Sequence, residues 1–138
     1  MTKKKRYPLI ALQKAIYKML TPPVYKDGAP IYDNVPKGAK LPYITFGDFT
    51  CKHDGTKDLN IYSVTMTLNI WSEYSGKKQV NEIAEDVTTI LTLSRLDLSE
   101  DKYKLLEQDC NFFEAFPEER FGYCGVITFV AKIQDMEV

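Results

Sequence analysis

Hydrophobic positions in this chain fall into two helical stripes and a set of strand-like alternations, and the clearest two adjoin each other. From Ile61 to Trp71, Tyr62, Val64, Met66, Leu68 and Ile70 alternate with Ser63, Thr65, Thr67 and Asn69. That is the pattern of a strand with one face on a core. A polar turn, Ser72-Glu73-Tyr74-Ser75-Gly76, supplies two candidate serine caps and leads into Val80, Ile83, Ala84, Val87, Ile90 and Leu91 at helical spacing. Lys77, Lys78, Glu82, Glu85 and Asp86 lie mostly outside the stripe. The spacing therefore predicts a helix laid on the sheet that the strand belongs to.

Upstream, Pro8 is placed to open a first helix in which Leu9, Leu12, Ala15, Ile16, Met19 and Leu20 share one side and Lys14 and Lys18 the other. Pro22-Pro23 predicts its end, because neither ring nitrogen can donate to the preceding turn. Val24-Tyr25 and Ile31-Tyr32 flank Lys26-Asp27-Gly28-Ala29-Pro30, which predicts a short, irregular hairpin. Asp33 to Lys40 reads as a loop. A strand is expected over Tyr43 to Thr50, with Tyr43, Thr45, Gly47 and Phe49 facing one way and Ile44, Phe46, Asp48 and Thr50 the other. Cys51 to Asn60 is too polar to bury and long for a tight hairpin, so it is expected to project from the sheet as a loop.

Downstream, Thr92 to Lys102 reads as a connection with a Ser-Glu-Asp turn, and Tyr103 to Phe116 as a long strand, bent or bulged near Asp109 to Asn111. Pro117 to Gly122 is the expected turn into a last strand, Tyr123 to Gln134. That strand is apolar on both faces, which suits a central position or cover by a neighbouring subunit. Together these elements predict an α+β fold: a mainly antiparallel sheet of about four long strands with two helices packed on it, in the order α-(short hairpin)-β-β-α-β-β. It is expected as one domain over residues 1–138, with 1–7 a flexible basic N-terminus.

Length and composition agree with such a domain. A chain of 138 residues buries roughly two thirds of the surface its unfolded form exposes, and 44% hydrophobic with 27% charged residues excludes global disorder. No apolar run approaches the ~20 residues of a membrane span. After Lys3-Lys4-Lys5-Arg6, the stretch Leu9 to Leu20 is interrupted by Gln13, Lys14 and Lys18, so a signal peptide's apolar region is lacking. The formal net charge is −1, yet residues 1–96 carry fourteen Lys/Arg against nine Asp/Glu, and residues 97–138 carry four against ten. Complementary faces of a head-to-tail assembly would show such polarisation, although elements of both halves interleave in a compact fold.

Candidate chemistry changes little. Cys51, Cys110 and Cys124 are widely spaced with only His53 to help them, which is not a zinc set and reads as reduced thiols in a cytosolic protein. His53 lies beside Asp54 with no Ser or Cys nucleophile in an elbow motif. Glu107, Asp109 and Glu114 read as a strand's polar positions before they read as a metal-dependent nuclease site. Phosphate-cradling glycine motifs are missing, and no catalytic residue, cofactor or metal is expected. Lys3 to Arg6, Lys52, Lys57, Lys77 and Lys78 could line a DNA-facing surface within an assembly, but a pI near 5.9 is low for an autonomous DNA binder. Trp71, at a strand end, reads as packing before it reads as a binding aromatic.

Asp33-Asn34-Val35-Pro36-Lys37-Gly38-Ala39, Leu41 to Gly47, Leu68-Asn69-Ile70-Trp71-Ser72, Gly76 and Val80-Asn81-Glu82-Ile83-Ala84 carry, in that order and spacing, a resemblance to the small tail-completion proteins of long-tailed bacteriophages and prophages. The similarity also takes in the opening helix and the final hairpin. It implies a structural virion protein, a tail terminator or tail-to-head joining protein, that caps the tail tube as a homo-oligomeric ring, stops tube growth and forms the head-docking surface. The implied partners are further copies of itself, in a hexamer, the tail tube protein and the head connector or head-completion protein, with DNA passing through the ring without sequence-specific binding. It implies assembly in the bacterial host cytoplasm, residence in the virion at the head–tail interface, and no membrane. Another head–tail neck component, or a nucleic-acid-binding accessory protein, is the alternative. The matched residues are structural: Pro36, Gly38, Pro42 and Gly47 shape backbone, and Leu68, Ile70, Trp71 and Ile83 the core. The contact residues are therefore chosen from the polar loops themselves: Lys52, His53, Asp54 and Lys57, and Glu118, Glu119 and Arg120.

Overall fold

In the computed structural model, which describes residues 6–21, 29–120 and 122–137, each long hydrophobic pattern becomes one element. Helix α1 runs Leu9–Met19 with Pro8 at its N-cap, and buries Ala11, Leu12 and Ile16. It ends at Leu20, before the Pro22-Pro23 pair, which with most of the expected hairpin lies outside the described residues. Four long strands follow, β2 Tyr43–His53, β3 Ile61–Ser72, β4 Tyr103–Glu118 and β5 Gly122–Asp135, after a two-residue β1 at Ile31–Tyr32. Helix α2 spans Lys78–Leu93, and a single 3-10 turn covers Ser99–Asp101.

The strands make one sheet in the order β1-β2-β3-β5-β4. All long pairs are antiparallel, but β1 pairs with β2 in parallel through Ile31↔Ile44 and Tyr32↔Thr45. The sheet is thus mixed and five-stranded, where four long antiparallel strands were expected. The chain between Tyr32 and Tyr43 returns to β2 by a loop instead of a tight turn, so β1 meets it running the same way. Strand β5 is an interior strand between β3 and β4, in keeping with the first of the two positions that its apolar faces suit.

Both helices contribute to one apolar cluster on one side of the sheet. Leu12, Ile16 and Leu20 join Val80, Ile83, Ala84, Val87 and Leu91 over Val64, Met66, Leu68 and Ile70 of β3 and Ile127, Phe129 and Ile133 of β5. Neither serine in the turn caps α2: its N-cap is Lys77, without a side-chain cap bond. Ser72 is buried instead, its hydroxyl paired with Gln79 Oε1 and accepting the backbone N–H of Tyr74 at 3.1 Å. The hydroxyl fixes the sharp exit from β3 and ties it to the Gln79 side chain in the first turn of α2, without capping a backbone N–H of the helix.

In β2 the register shifts between Phe46 and Phe49, which face Leu68 and Met66. One extra residue at this bulge reverses the parity of every later residue in the strand. Phe49 and Cys51 therefore join Ile44 and Phe46 on the core side, where uninterrupted alternation placed Phe49 on the other. Strand β4 bulges twice, between Leu105 and Glu107 and between Cys110 and Phe112; the second lies in the stretch expected to bend.

Gly122 opens β5 at φ +142, and a Cβ there would stand 2.9 Å from the Ser72 carbonyl oxygen and 3.0 Å from that of Tyr74. Backbone cannot yield as a side chain can, so Gly122→Ala is expected to cost about 2 kcal/mol. Urea unfolding followed by circular dichroism measures this; an unchanged midpoint would mean that the Ser72–Tyr74 turn gives way.

Candidate assembly surfaces

The candidate contact residues fall at the two ends of the sheet. Lys52 and His53 were expected within a projecting loop; they are the last residues of β2, paired with Ser63 and Tyr62. Backbone partners in β3 hold this polar segment as strand, and only 54–60 remains loop, closed by Asp54 N–H on the Ile61 carbonyl at 2.7 Å. The His53 ring meets Tyr62 edge-on at 5.5 Å, and Tyr62 meets Tyr7 at 6.1 Å. Asp54 accepts the Ser63 hydroxyl at 2.9 Å and lies 3.7 Å from Lys132 Nζ. The hydroxyl first, and then the Lys132 charge, hold its carboxyl below the usual aspartate range. Lys57 is exposed in the loop.

The second group lies at the other end. Glu118 closes β4, so the turn is shorter than the expected Pro117 to Gly122. Its Oε1 accepts Arg120 Nε at 3.2 Å, and Glu119 is exposed beside them. His53 and Tyr62 stand level with Ile133, whereas Glu118 pairs with Gly122 beyond Ser72. At ~3.3 Å per strand residue the two groups are roughly 36 Å apart along β3.

The same end as His53 holds a clasp that the sequence did not announce. Arg6 bonds Asp135 Oδ1 at 2.6 Å and Oδ2 at 3.3 Å, donates to the Asp101 carbonyl at 3.1 Å, and lies 4.3 Å from the centre of the Tyr103 ring. The Asp135 bond is the main cause of a raised Arg6 pKa. Residues 1–5 of the basic N-terminus lie outside the described residues.

The face opposite the helices has no layer over it among the described residues. Register defines rows across it: Lys52–Ser63–Lys132–Glu107, Thr50–Thr65–Val130–Asp109 and Tyr43–Trp71–Cys124–Phe116. Trp71 is half-buried there and donates Nε1–H to the Thr45 hydroxyl at 2.9 Å. Edge strand β4 exposes two adjacent aromatics, Phe112 at 55% and Phe113 at 38%. Sequence reasoning did not single them out as exposed. The available signal was a Phe-Phe pair in an alternating strand, where one ring must leave the core face.

Among the described residues no three of His, Cys, Asp and Glu gather closely enough to hold a metal ion, and no helix is long and apolar enough to cross a membrane. The three cysteines are unbridged. Burial, then the Asp109 charge, pushes the Cys110 thiol up to about 11, and burial, then Glu118, does the same for Cys124. These thiols ionise more readily in the unfolded chain, so their contribution to stability is complete below the ordinary value of 9.0 and is lost as pH rises through about 11. Both are expected to alkylate at least tenfold more slowly in the native protein than in urea at about pH 8. Mass-spectrometric rates check this; equal rates would mean that the sites open freely.

Comparisons with family models and with solved structures both return matches. A family model described as "Tail completion protein gp17" matches residues 14–133. A chain from the virion of a native gene transfer agent (GTA) particle has the same fold, with a TM-score of 0.81 over 94% of this chain and 99% of that one, at 21% identity. No curated protein matches the sequence.

Proposed function

The chain belongs to the family of tail completion protein gp17, and from that premise we propose that it caps the end of a phage tail tube as a ring, stops tube growth and offers the surface on which the head docks. Membership of that family makes it a structural tail component of the virion. The ring, its hexameric order, its non-enzymatic action, the passage of DNA through it and its contacts with tube and head connector form the finer reading. The observation that carries this reading is the match over residues 14–133. The placement of the two polar groups supports it. A terminator needs two docking surfaces, and His53, Asp54 and Lys57 lie at one end of the sheet, next to Lys52, while Glu118, Glu119 and Arg120 lie at the other. One end would meet the tube and the other the connector.

Removing the coding sequence from the particle's genome tests the reading. Overlong tubes without heads, corrected by adding the purified chain before heads, are the expected result. Tubes of normal length that fail to join heads would assign the chain to another neck component. Normal tails joined to heads would sink both.

A further inference from the structure

We propose that the ring closes by strand addition between its own subunits: the open edge of β4 in one copy pairs antiparallel with the open edge of β2 in the next. This inference rests on the ring reading and goes beyond it by naming the interface. Both edges of the sheet are open only in part. On the β2 side, β1 covers Ile44 and Thr45. On the β4 side, Arg95 Nη2 donates to the carbonyls of Leu105 at 2.7 Å and Leu106 at 3.1 Å. The edges left open run over Phe46–His53 of β2 and Glu107–Glu118 of β4, and register places Phe46–Lys52 and Glu107–Phe113 within them at one height: Phe46 in the row of Leu68, Ile127 and Phe113, Lys52 in the row of Ser63, Lys132 and Glu107. Each of these two stretches carries one bulge residue, so they stay in step residue for residue.

Direction and charge favour this pairing over its rivals. Counting antiparallel steps from β2 through β3 and β5, β4 runs opposite to β2. Rotation about an axis along the strands keeps those directions, so β4 of one copy meets β2 of the next as an antiparallel pair, and the repeated contact can close into a ring. Pairing β4 with β4 of another copy is opposed by charge, because Leu105 to Glu119 holds Glu107, Asp109, Glu114, Glu118 and Glu119 and no Lys or Arg. On β2 the open face presents Lys52, in the row of Glu107. Phe112, more than half exposed, shares its row with Thr128 and Thr67, and across that row β2 has its bulge at Gly47 and Asp48, with no side chain on Gly47. Thr67 and Asn69 fill the space beside Gly47, so the Phe112 ring would lie across the flat backbone of that bulge; main-chain bonding along such an edge is how a sheet takes up another chain.

The test uses the full chain on isolated tail tubes. Lys52 and Glu107 are three strand spacings apart within a subunit, roughly 14 Å, beyond the ~7 Å that a disulfide spans, so a link between them must join two copies. The Lys52→Cys/Glu107→Cys protein, mildly oxidised on tubes, is expected to yield a 52–107 disulfide by peptide mass spectrometry. Because added cysteines can disturb folding, charge exchange gives a second readout. Glu107→Lys and Lys52→Glu should each lower tube-bound protein about tenfold, with the double exchange restoring it. Rings visible on tubes without the link and without restoration overturn the edge pairing and leave the ring reading standing. Tubes that gather no ring overturn both.

Discussion

Ile83→Asp is expected to abolish cooperative folding. Ile83 is fully buried on the sheet-facing side of α2, in one apolar cluster with Val80, Val87 and Leu91 of its own helix and with the inward residues of β3 and β5. An aspartate there removes the apolar transfer energy and places a carboxylate among hydrocarbon. The first loss is about 2–3 kcal/mol. The second adds several more, whether the group stays charged or takes up a proton. A domain of this size is stable by only ~5–15 kcal/mol, so most of its margin is removed. Circular dichroism and urea titration of the purified variant would show a flat, non-cooperative signal. A soluble variant melting at the parent temperature would refute the packing of α2 on the sheet. Ile83→Val should lose only about 1 kcal/mol, since it keeps the hydrocarbon and leaves a small cavity.

Arg6→Ala is expected to lower stability by about 3 kcal/mol at neutral pH. The Asp135 side chain is 2% exposed, and Arg6 meets it with two nitrogens while also donating to the Asp101 carbonyl. Removing the guanidinium strips the buried carboxylate of its charged partner and Tyr103 of the cation over its ring. Arg6→Lys should recover less than half of the loss, because an ammonium cannot reproduce the fork that spans carboxylate and carbonyl. Urea midpoints of the two variants measure this. Parent-like stability of Arg6→Ala would show that Asp135 holds its charge without the clasp. Arg6 and Asp135 are 129 residues apart, so the bond ties the start of the chain to its last strand.

The elements were legible because each carries its own period. Alternation in Ile61 to Trp71 and the helical spacing of Val80 to Leu91 are local consequences of packing one face against oil and the other against water, and both elements formed where the spacing put them. Where the reading failed, a distant partner decided the outcome. Lys52 and His53 are polar enough for a loop, yet Ser63 and Tyr62 lie opposite with free backbone groups, and the ladder extends. Phe49 changed face because a bulge, invisible to alternation, inserts one residue before it.

For the candidate surfaces the division is sharper. Asp54, Lys57, Glu119 and Arg120 were recognisable as exposed loop or turn residues from polarity alone. That their two groups sit at opposite ends of the sheet is a matter of strand order, which brings Ile133 beside Tyr62 and Gly122 beside Glu118. The Phe112 edge, the Arg95 cover of Leu105 and Leu106, and the Lys52–Glu107 row likewise involve residues from different strands and loops.

Hydrophobic period alone thus determined the two helices, the four long strands and, for the helices and β3, the face turned to the core, because burial acts on each of these elements through its own spacing. The parallel β1, the bulge that turns Phe49 inward, the Arg6–Asp135 clasp and the two open edges at a common height were decided only by tertiary structure. Each depends on which distant backbone or charge stands opposite, and a one-dimensional pattern contains no term for that.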